Sequence, residues 1–279
     1  MRISTMLFPY HLALQAGEYS ADTLLATLRV AGMSGLELAW EAVQDNPALT
    51  KVILQAAAAE QLQFPCLDVC ASLATGDEEK NLRVLANCRQ AFAFCRDEIA
   101  CPIALLYGSA PAEGMSNAVA RQHYGEMLGR CAELANEFGI TVCIEDFGVT
   151  PRFTASSRHC LEVIHISNHP DVRFNFDNGN FLLADERPLE ALEAVKELLC
   201  HVHIKDFCRR IPSAQNHSLC TPSGVLYRTC GLGDGAGEVV PCLKRLQELG
   251  YDGWLSSESG TTPASGAQAV RFIAQYWLS

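Results

Sequence analysis

The sequence has no CxxC pair, although it contains 13 cysteines. Zinc ribbons and thioredoxin-like redox sites rely on that spacing, so its absence argues against both. An odd number of cysteines, in a chain with enough apolar residues for a large core, also argues against a disulfide framework. Cys66, Cys70, Cys143 and Cys160 stand singly among apolar neighbours. We expect small buried thiols in a reducing compartment.

The sequence also lacks a membrane span, a secretory leader and an excess of basic residues. No apolar run reaches about 18 residues, and no signal-type apolar segment with a cleavage site follows the N-terminus. The chain has 21 Lys and Arg against 32 Asp and Glu, which gives a net charge of −11. The lack of a membrane span and of a secretory leader predicts a cytoplasmic protein. Because nucleic-acid binding needs a basic surface, the acidic charge argues against a nucleic acid and predicts a small-molecule substrate. These absences exclude neither a monomer nor a homo-oligomer.

Short apolar runs alternate with amphipathic segments along the whole chain. The apolar runs predict strands at residues 2–7, 35–40, 64–70, 103–107, 140–146, 172–177, 200–206 and 253–258. The amphipathic segments predict helices at residues 21–31, 47–61, 78–95, 117–138, 156–167, 188–198, 238–249 and 265–277. Asn46 before Pro47 is typical of a helix start, and Gly139 and Gly250 are typical of helix ends.

The alternation predicts an α/β fold with one closed, parallel (β/α)8 barrel over residues 1–279. Strands that are apolar throughout, rather than alternating with polar residues, are typical of a sheet covered by helices on its outer face. An open doubly wound sheet is the other fold considered, but no GxGxxG motif follows the first strand. Residues 207–234 form the longest stretch without a helix or strand pattern, and we expect a substrate-covering loop there.

Acidic residues and one histidine end the last four predicted strands. They are Glu145, Asp177, His203 and Glu258. In a parallel barrel these ends meet at one face, where three carboxylates would repel one another unless a cation lay between them. The oxygen-rich donor set favours one divalent ion, with manganese preferred and magnesium, cobalt or zinc as alternatives.

Strand parity adds Lys205 to this predicted site. His201, His203 and Lys205 share one face of their strand, opposite Val202 and Ile204, so Lys205 is expected to project toward a ligand. A salt bridge with Asp206 or another carboxylate is the alternative for Lys205. His201 lies one layer deeper and is expected to be structural.

The sequence resembles the sugar phosphate isomerase/epimerase family, whose members are the xylose isomerase-like barrels. The resemblance lies in stretches 35–41, 144–146, 175–180, 201–206, 232–235 and 250–258. It implies a metal-dependent enzyme with a divalent ion at Glu145, Asp177, His203 and Glu258. In the ketose epimerases of this family the glutamates that correspond to Glu145 and Glu258 also serve as the acid/base pair.

Two positions depart from the ketose epimerases of that family. Asn180 stands where they have a histidine, and Pro151 stands where they have a second glutamate, whereas Arg209 matches their arginine. The His-x-His-x-Lys-Asp form is more similar to branches that act on inositol-derived ketones, keto-sugars and sugar acids. Abasic-site endonucleases share the fold, but Asn180 and the stretch 234–236 lack the histidines that they need.

Weaker candidates for substrate contact lie at other strand ends. Glu37 and Trp40 end the second strand, Tyr107 ends the fourth, and His11 follows the first. Asn180 and Arg209 complete the substrate-binding candidates. Packing is the alternative for Trp40. The glycine-rich stretch 231–237 resembles a phosphate loop, but its acidic residues favour a hinge.

We therefore expect an isomerase or epimerase that removes a proton alpha to a carbonyl and forms an ene-diolate. Glu145 and Glu258 are the candidate proton-transfer pair, and Lys205 is the candidate for polarising a substrate oxygen. A dehydratase of an inosose or a sugar acid uses the same enolate and is the close alternative. A non-catalytic metal-binding barrel is the alternative outside the enzymes.

Overall fold

Eight parallel strands form a closed barrel in the computed structural model, which describes residues 2–210 and 219–278. Neighbouring strands in the barrel follow the order of the chain, and the last strand closes against the first. The barrel strands are β1 (Arg2–Met6), β2 (Gly35–Ala39), β3 (Leu67–Cys70), β4 (Ile103–Tyr107), β5 (Thr141–Glu145), β6 (Arg173–Asp177), β7 (Leu199–Ile204) and β11 (Trp254–Ser257). The prediction of a (β/α)8 barrel is confirmed.

Helices follow the strands and cover the outside of the barrel. They are α1 (His11–Gln15), α2 (Ala21–Val30), α3 (Trp40–Asp45), α4 (Pro47–Ala59), α5 (Glu78–Asp97), α6 (Asn117–Asn136), α7 (Ser157–Ser167), α8 (Pro188–Val195), α9 (Val239–Glu248) and α10 (Pro263–Leu278). Asn46 caps α4 by accepting a hydrogen bond from Leu49 N at 3.0 Å. Gly250 follows the C-cap of α9 directly, whereas Gly139 comes one residue later after α6. Both glycines adopt a φ of 70°.

Successive side chains of each barrel strand point alternately outward and into the lumen. Outward residues such as Ile144, Phe176 and Val202 belong to the main hydrophobic core beneath the helices. The lumen receives the polar residues of alternate positions, so the chemistry of the protein is carried by one face of each strand. None of the helices in the described part of the chain is long and apolar enough to cross a membrane.

The prediction of an irregular segment at 207–234 is wrong at residues 207–209, 219–220 and 226–230, which form strands. A second, antiparallel sheet with the order β8-β10-β9 occupies this region. Its strands are β8 (Asp206–Arg209), β9 (Leu219–Cys220) and β10 (Leu226–Cys230). These strands are too short, and too polar, for the alternation of apolar residues to reveal them. Residues 211–218 of the predicted loop lie outside the described residues.

The 13 cysteines are free thiols. Cys66, Cys143 and Cys160 are buried, as predicted. Cys70 is exposed, because it is the last residue of β3 and reaches the open end of the barrel.

Candidate active site

The four predicted ligands lie at the carboxyl ends of four neighbouring strands. Glu145 and Asp177 are the last residues of β5 and β6, His203 is the penultimate residue of β7, and Glu258 follows β11 directly. These strands are adjacent in the order β5-β6-β7-β11. The parallel register therefore brings all four side chains to one end of the barrel.

Three of these side chains meet closely enough to share an ion. Ligand atoms of Glu145, Asp177 and His203 lie within 4.8 Å of one another. Two carboxylate oxygens and an imidazole nitrogen form a donor set that suits a divalent cation. Glu258 lies outside this trio, and its carboxylate is held by Lys205 instead. The donor chemistry of this trio fits the implied metal.

Lys205 bridges two of the predicted ligands. Its Nζ lies 2.7 Å from Asp177 Oδ2 and 2.7 Å from Glu258 Oε2. Burial by itself would lower the pKa of Lys205, but the Asp177 and Glu258 carboxylates raise it above its usual value. Burial would likewise raise the pKa of Glu258, yet Lys205 and His203 lower it. The site thus holds a fixed ammonium group beside its carboxylates.

His203 is oriented from both ring nitrogens. Its Nδ1 lies 3.0 Å from Asn175 Nδ2 and 3.4 Å from Glu145 Oε2, and its Nε2 lies 3.0 Å from Glu37 Oε2. Burial opposes a charge on this ring, but the Glu37 carboxylate raises the pKa of His203 well above its usual value. Asn175 also reaches Glu145 Oε2 at 3.4 Å and so ties two predicted ligands together.

Glu37 closes the floor of the site. It is fully buried, and its carboxylate contacts both His201 Nε2 and His203 Nε2 across the lumen. These two imidazoles lower the pKa of Glu37 although burial opposes that change. Glu37, His201 and His203 form a second trio whose ligand atoms lie within 4.8 Å of one another. The structure therefore places the predicted substrate contact Glu37 beneath the site, among side chains rather than at a cavity.

Asp177 is fixed by the turn that follows β6. Its Oδ1 accepts hydrogen bonds from Gly179 N at 3.0 Å and Asn180 N at 3.2 Å, and its Oδ2 accepts one from Asn180 Nδ2 at 3.0 Å. A carboxylate with these partners can turn little, because moving it would break several bonds together. Asn180 therefore supports a predicted ligand at the position where the ketose epimerases carry histidine.

A cavity of about 260 Å³ opens beside Glu145 and Glu258, two of the four predicted metal ligands. Its polar lining comprises Asp68, Tyr107, Glu145, Asn180, Lys205 and Glu258. Its volume suits a molecule of the size of one sugar ring. A second cavity of about 270 Å³ adjoins it, shares Phe8, Ala39 and Tyr107 with it, and is also lined by His11.

The other two predicted substrate contacts lie away from the cavity. Trp40 is buried in α3, packs against Phe94, and donates a hydrogen bond from Nε1 to Asn87 Oδ1 at 2.9 Å. Arg209 is the exposed last residue of β8. Neither residue lines the cavity of about 260 Å³ that Glu145 and Glu258 line.

Two polar residues of the lumen escaped the sequence analysis. Asn175 lies two residues before Asp177, and Asp68 lies two residues before Cys70, so strand parity could have placed both in the lumen. A lone polar residue within an apolar run gave no further signal. Both side chains are buried.

The glycine-rich stretch 231–237 wraps around Asp206. The carboxylate of Asp206 accepts hydrogen bonds from the amides of Gly233, Gly235 and Gly237 at 2.9, 2.9 and 2.8 Å. A Cβ on Gly235 would lie 2.3 Å from Asp206 Oδ1, so only glycine allows this approach. The stretch resembles a phosphate loop because it does bind an anionic group, which is the protein's own carboxylate.

Replacing Asp206 by alanine should lower the free energy of unfolding by about 2–4 kcal/mol, because several amide donors lose a charged acceptor. Urea denaturation measures the change, and hydrogen exchange at the three glycine amides locates it. Asp234→Ala is the matched control, since Asp234 is an exposed acid of the same stretch and should change stability by less than about 0.5 kcal/mol. Equal effects of the two substitutions would contradict this role of Asp206.

The architecture and this constellation define a class: a parallel barrel enzyme with carboxylates, an imidazole and an ammonium group at the carboxyl ends of its strands. The sequence model of the xylose isomerase-like TIM barrel family matches residues 25–276. The chain therefore belongs to the xylose isomerase-like TIM barrel family.

Curated relatives and solved structures agree with this assignment. The chain is 27% identical to an inosose dehydratase of Erwinia tasmaniensis, over 93% of this chain and 91% of that protein. It is 34% identical to an inosose dehydratase of Clostridium botulinum, but over only 37% of this chain and 35% of that protein. These relatives are enzymes, which supports an enzyme for this chain as well.

Among solved structures, the probable 3-DHS dehydratase AsbF of Bacillus anthracis superposes with a TM-score of 0.75 at 14% identity, covering 98% of this chain and 99% of that one. The 3-keto-D-glucoside 4-epimerase YcjR of E. coli gives a TM-score of 0.70 at 16% identity, covering 100% of this chain and 99% of that one. At these identities the likeness concerns the fold alone.

Proposed function

We propose that this enzyme is a cytoplasmic, metal-dependent dehydratase of a polyol ketone of the inosose type. Support comes first from geometry: Glu145, Glu258 and Lys205 converge on one cavity of about 260 Å³. The relative from Erwinia tasmaniensis, which is matched over 91% of its length, supports the substrate class. An inosose is a ring ketone with hydroxyl groups on its other carbons, and its size suits this cavity.

Glu145, Asp177 and His203 are the residues that would hold the divalent ion, with Glu258 as the proposed fourth ligand. Such an ion would polarise the substrate's carbonyl group and lower the cost of negative charge on its oxygen. We propose manganese from the mixed oxygen and nitrogen donors, with magnesium, cobalt or zinc as alternatives.

The chain's own residues supply the proton transfers. One glutamate removes the proton alpha to the carbonyl, and the electron pair of the broken C–H bond forms the enolate. Lys205, held as an ammonium group by Asp177 and Glu258, stabilises the negative charge on a substrate oxygen. The enolate then expels the hydroxyl group of the next carbon, which takes up the proton that the glutamate removed and leaves as water.

Epimerisation or isomerisation of a keto-sugar is the second candidate function. The strands β5 and β11, which carry Glu145 and Glu258, are separated by β6 and β7. Their carboxylates therefore approach a bound substrate from different sides, and one can remove a proton from one face while the other returns a proton to the opposite face. Asn180 and Pro151, at positions where the ketose epimerases carry histidine and glutamate, favour dehydration over this outcome.

Incubation in heavy water separates the two functions. We expect the manganese-loaded enzyme, supplied with an inosose, to release water and form an unsaturated or dicarbonyl product, detected by NMR and ultraviolet absorbance. An epimerase would instead incorporate deuterium without losing a hydroxyl group. Keto-sugars and sugar acids complete the panel, and chelator-treated enzyme is the control. Absence of both deuterium uptake and dehydration across the panel would refute an enzyme of this kind.

A further inference from the structure

Asp68 of β3 is a buried carboxyl group without a partner. Its side chain is 3% exposed, and neither carboxyl oxygen has a hydrogen-bond partner among the described residues. Asp68 nevertheless lines the cavity that receives Glu145, Lys205 and Glu258. Asp68 is therefore an unpartnered acid in the wall of a space that a ligand can fill.

The barrel topology places Asp68 across the cavity from Lys205. In the closed order of eight strands, β3 lies four strands from β7 in either direction. Strands separated in this way face each other across the lumen. A substrate in the cavity thus lies between Lys205 and Asp68, which is on the opposite wall. The predicted metal ligand Asp177 lies beside Lys205.

Keeping such a group costs stability. A buried polar group without a hydrogen bond is unfavourable, and a buried carboxylate more so. Burial, followed by the Glu37 carboxylate, raises the pKa of Asp68 well above its usual value. Cys66, two residues before Asp68, packs against Leu105 and Cys143 in a small apolar cluster, so this side of the barrel also holds weakly polar side chains. The stability lost by burying Asp68 is recovered if the bound substrate supplies its missing hydrogen-bond partner.

We propose that Asp68 contacts the substrate directly and selects molecules that carry a hydroxyl group on the side opposite Lys205. This inference rests on the proposed function, because it assumes that the cavity binds a polyol ketone. Asp68 hydrogen-bonds that hydroxyl group and thereby fixes which way round the ring lies. A site built to bond a hydroxyl group rejects an analogue that lacks it, since a buried polar group is then left unpaired.

Kinetics on an inosose and its monodeoxy analogues test the contact. Asp68→Ala should lower kcat/KM by about 10- to 100-fold with metal content unchanged, and Asp68→Asn should lower it by less, because the amide can still hydrogen-bond a hydroxyl group. One monodeoxy analogue should lose a similar factor with the native enzyme and lose little more with Asp68→Ala. Cys66→Ala is the matched control: Cys66 is the buried residue directly before β3, does not line the cavity, and its replacement should leave kcat/KM unchanged. Native kcat/KM in both Asp68 variants would overturn the proposal.

The melting temperature separates this proposal from the proposed function. Asp68→Asn should raise the melting temperature of the metal-free protein, since an unpartnered acid kept for binding destabilises the fold. Cys66→Ala should lower it, because it leaves a void. If the native enzyme converts no ketone of the panel, the proposed function fails, while a higher melting temperature of Asp68→Asn still supports a binding role. A melting temperature that falls in both Asp68 variants would assign Asp68 to the fold and overturn the proposal.

Discussion

Replacing Glu258 by glutamine is expected to slow proton exchange at the substrate by about 10²–10⁴-fold while the metal stays bound. Glutamine keeps the size of the side chain and one ligand oxygen, but it cannot accept a proton at the working pH. Glu258 also lies outside the closely spaced trio of Glu145, Asp177 and His203. Its replacement should therefore affect proton transfer more than metal affinity.

Glu145→Gln should slow exchange to a similar extent but also weaken metal binding, since Glu145 belongs to the trio. The measurement is deuterium exchange on enzyme whose metal content has been determined by elemental analysis. Glu186→Gln is the matched control, because Glu186 is a half-buried glutamate that bonds Ser157 away from the cavity. A metal-replete Glu258→Gln variant that exchanges protons at the native rate would remove Glu258 from the pair.

Replacing His203 by alanine is expected to weaken divalent-ion binding by more than about 100-fold and to abolish turnover. Loss of residues that merely orient a ligand already costs about 10–100-fold in metal affinity. His203 belongs to both trios of candidate ligands, so this variant alone cannot distinguish them. Asp177→Ala removes a ligand only from the trio that also contains Glu145. His201→Ala removes one only from the trio that also contains Glu37.

Metal content by elemental analysis and affinity by calorimetric titration with manganese give the result. We expect Asp177→Ala to lose the ion and His201→Ala to keep it. The opposite pattern would move the site to the floor of the barrel, at Glu37. Full occupancy in the His203→Ala variant would remove both assignments.

The barrel fold, and the polar residues that lie at the carboxyl ends of its strands, could be predicted because both depend on local signals in the sequence. Apolar runs and helix boundaries are recognised from a few consecutive residues, as at the helix cap Asn46. The parallel order then places strand ends together, so Glu145, Asp177 and His203 could be brought to one place without knowing any distance. Register and parity were sufficient for that step.

Contacts across the lumen could not be predicted, because they join residues that are far apart in the chain. Glu37 looked like a substrate contact at a strand end, but it pairs with His201 and His203. Lys205 was expected either to face a ligand or to form a salt bridge. The structure shows that it lines the cavity and also bridges Asp177 and Glu258. Asp68 gave no signal because a single acid in an apolar strand has many explanations.

The contact of Glu37 with the two histidines of β7 also determines when the floor of the site can form during synthesis. Its partners are separated by 164 and 166 residues. A ribosome releases β2 long before β7. The carboxylate of Glu37 therefore has no imidazole partner until most of the chain has emerged. Contacts of such long range slow folding, because the loop that they close is costly. An N-terminal fragment that ends before β7 would therefore leave Glu37 unpaired. We expect the barrel to close late in synthesis and in one cooperative step.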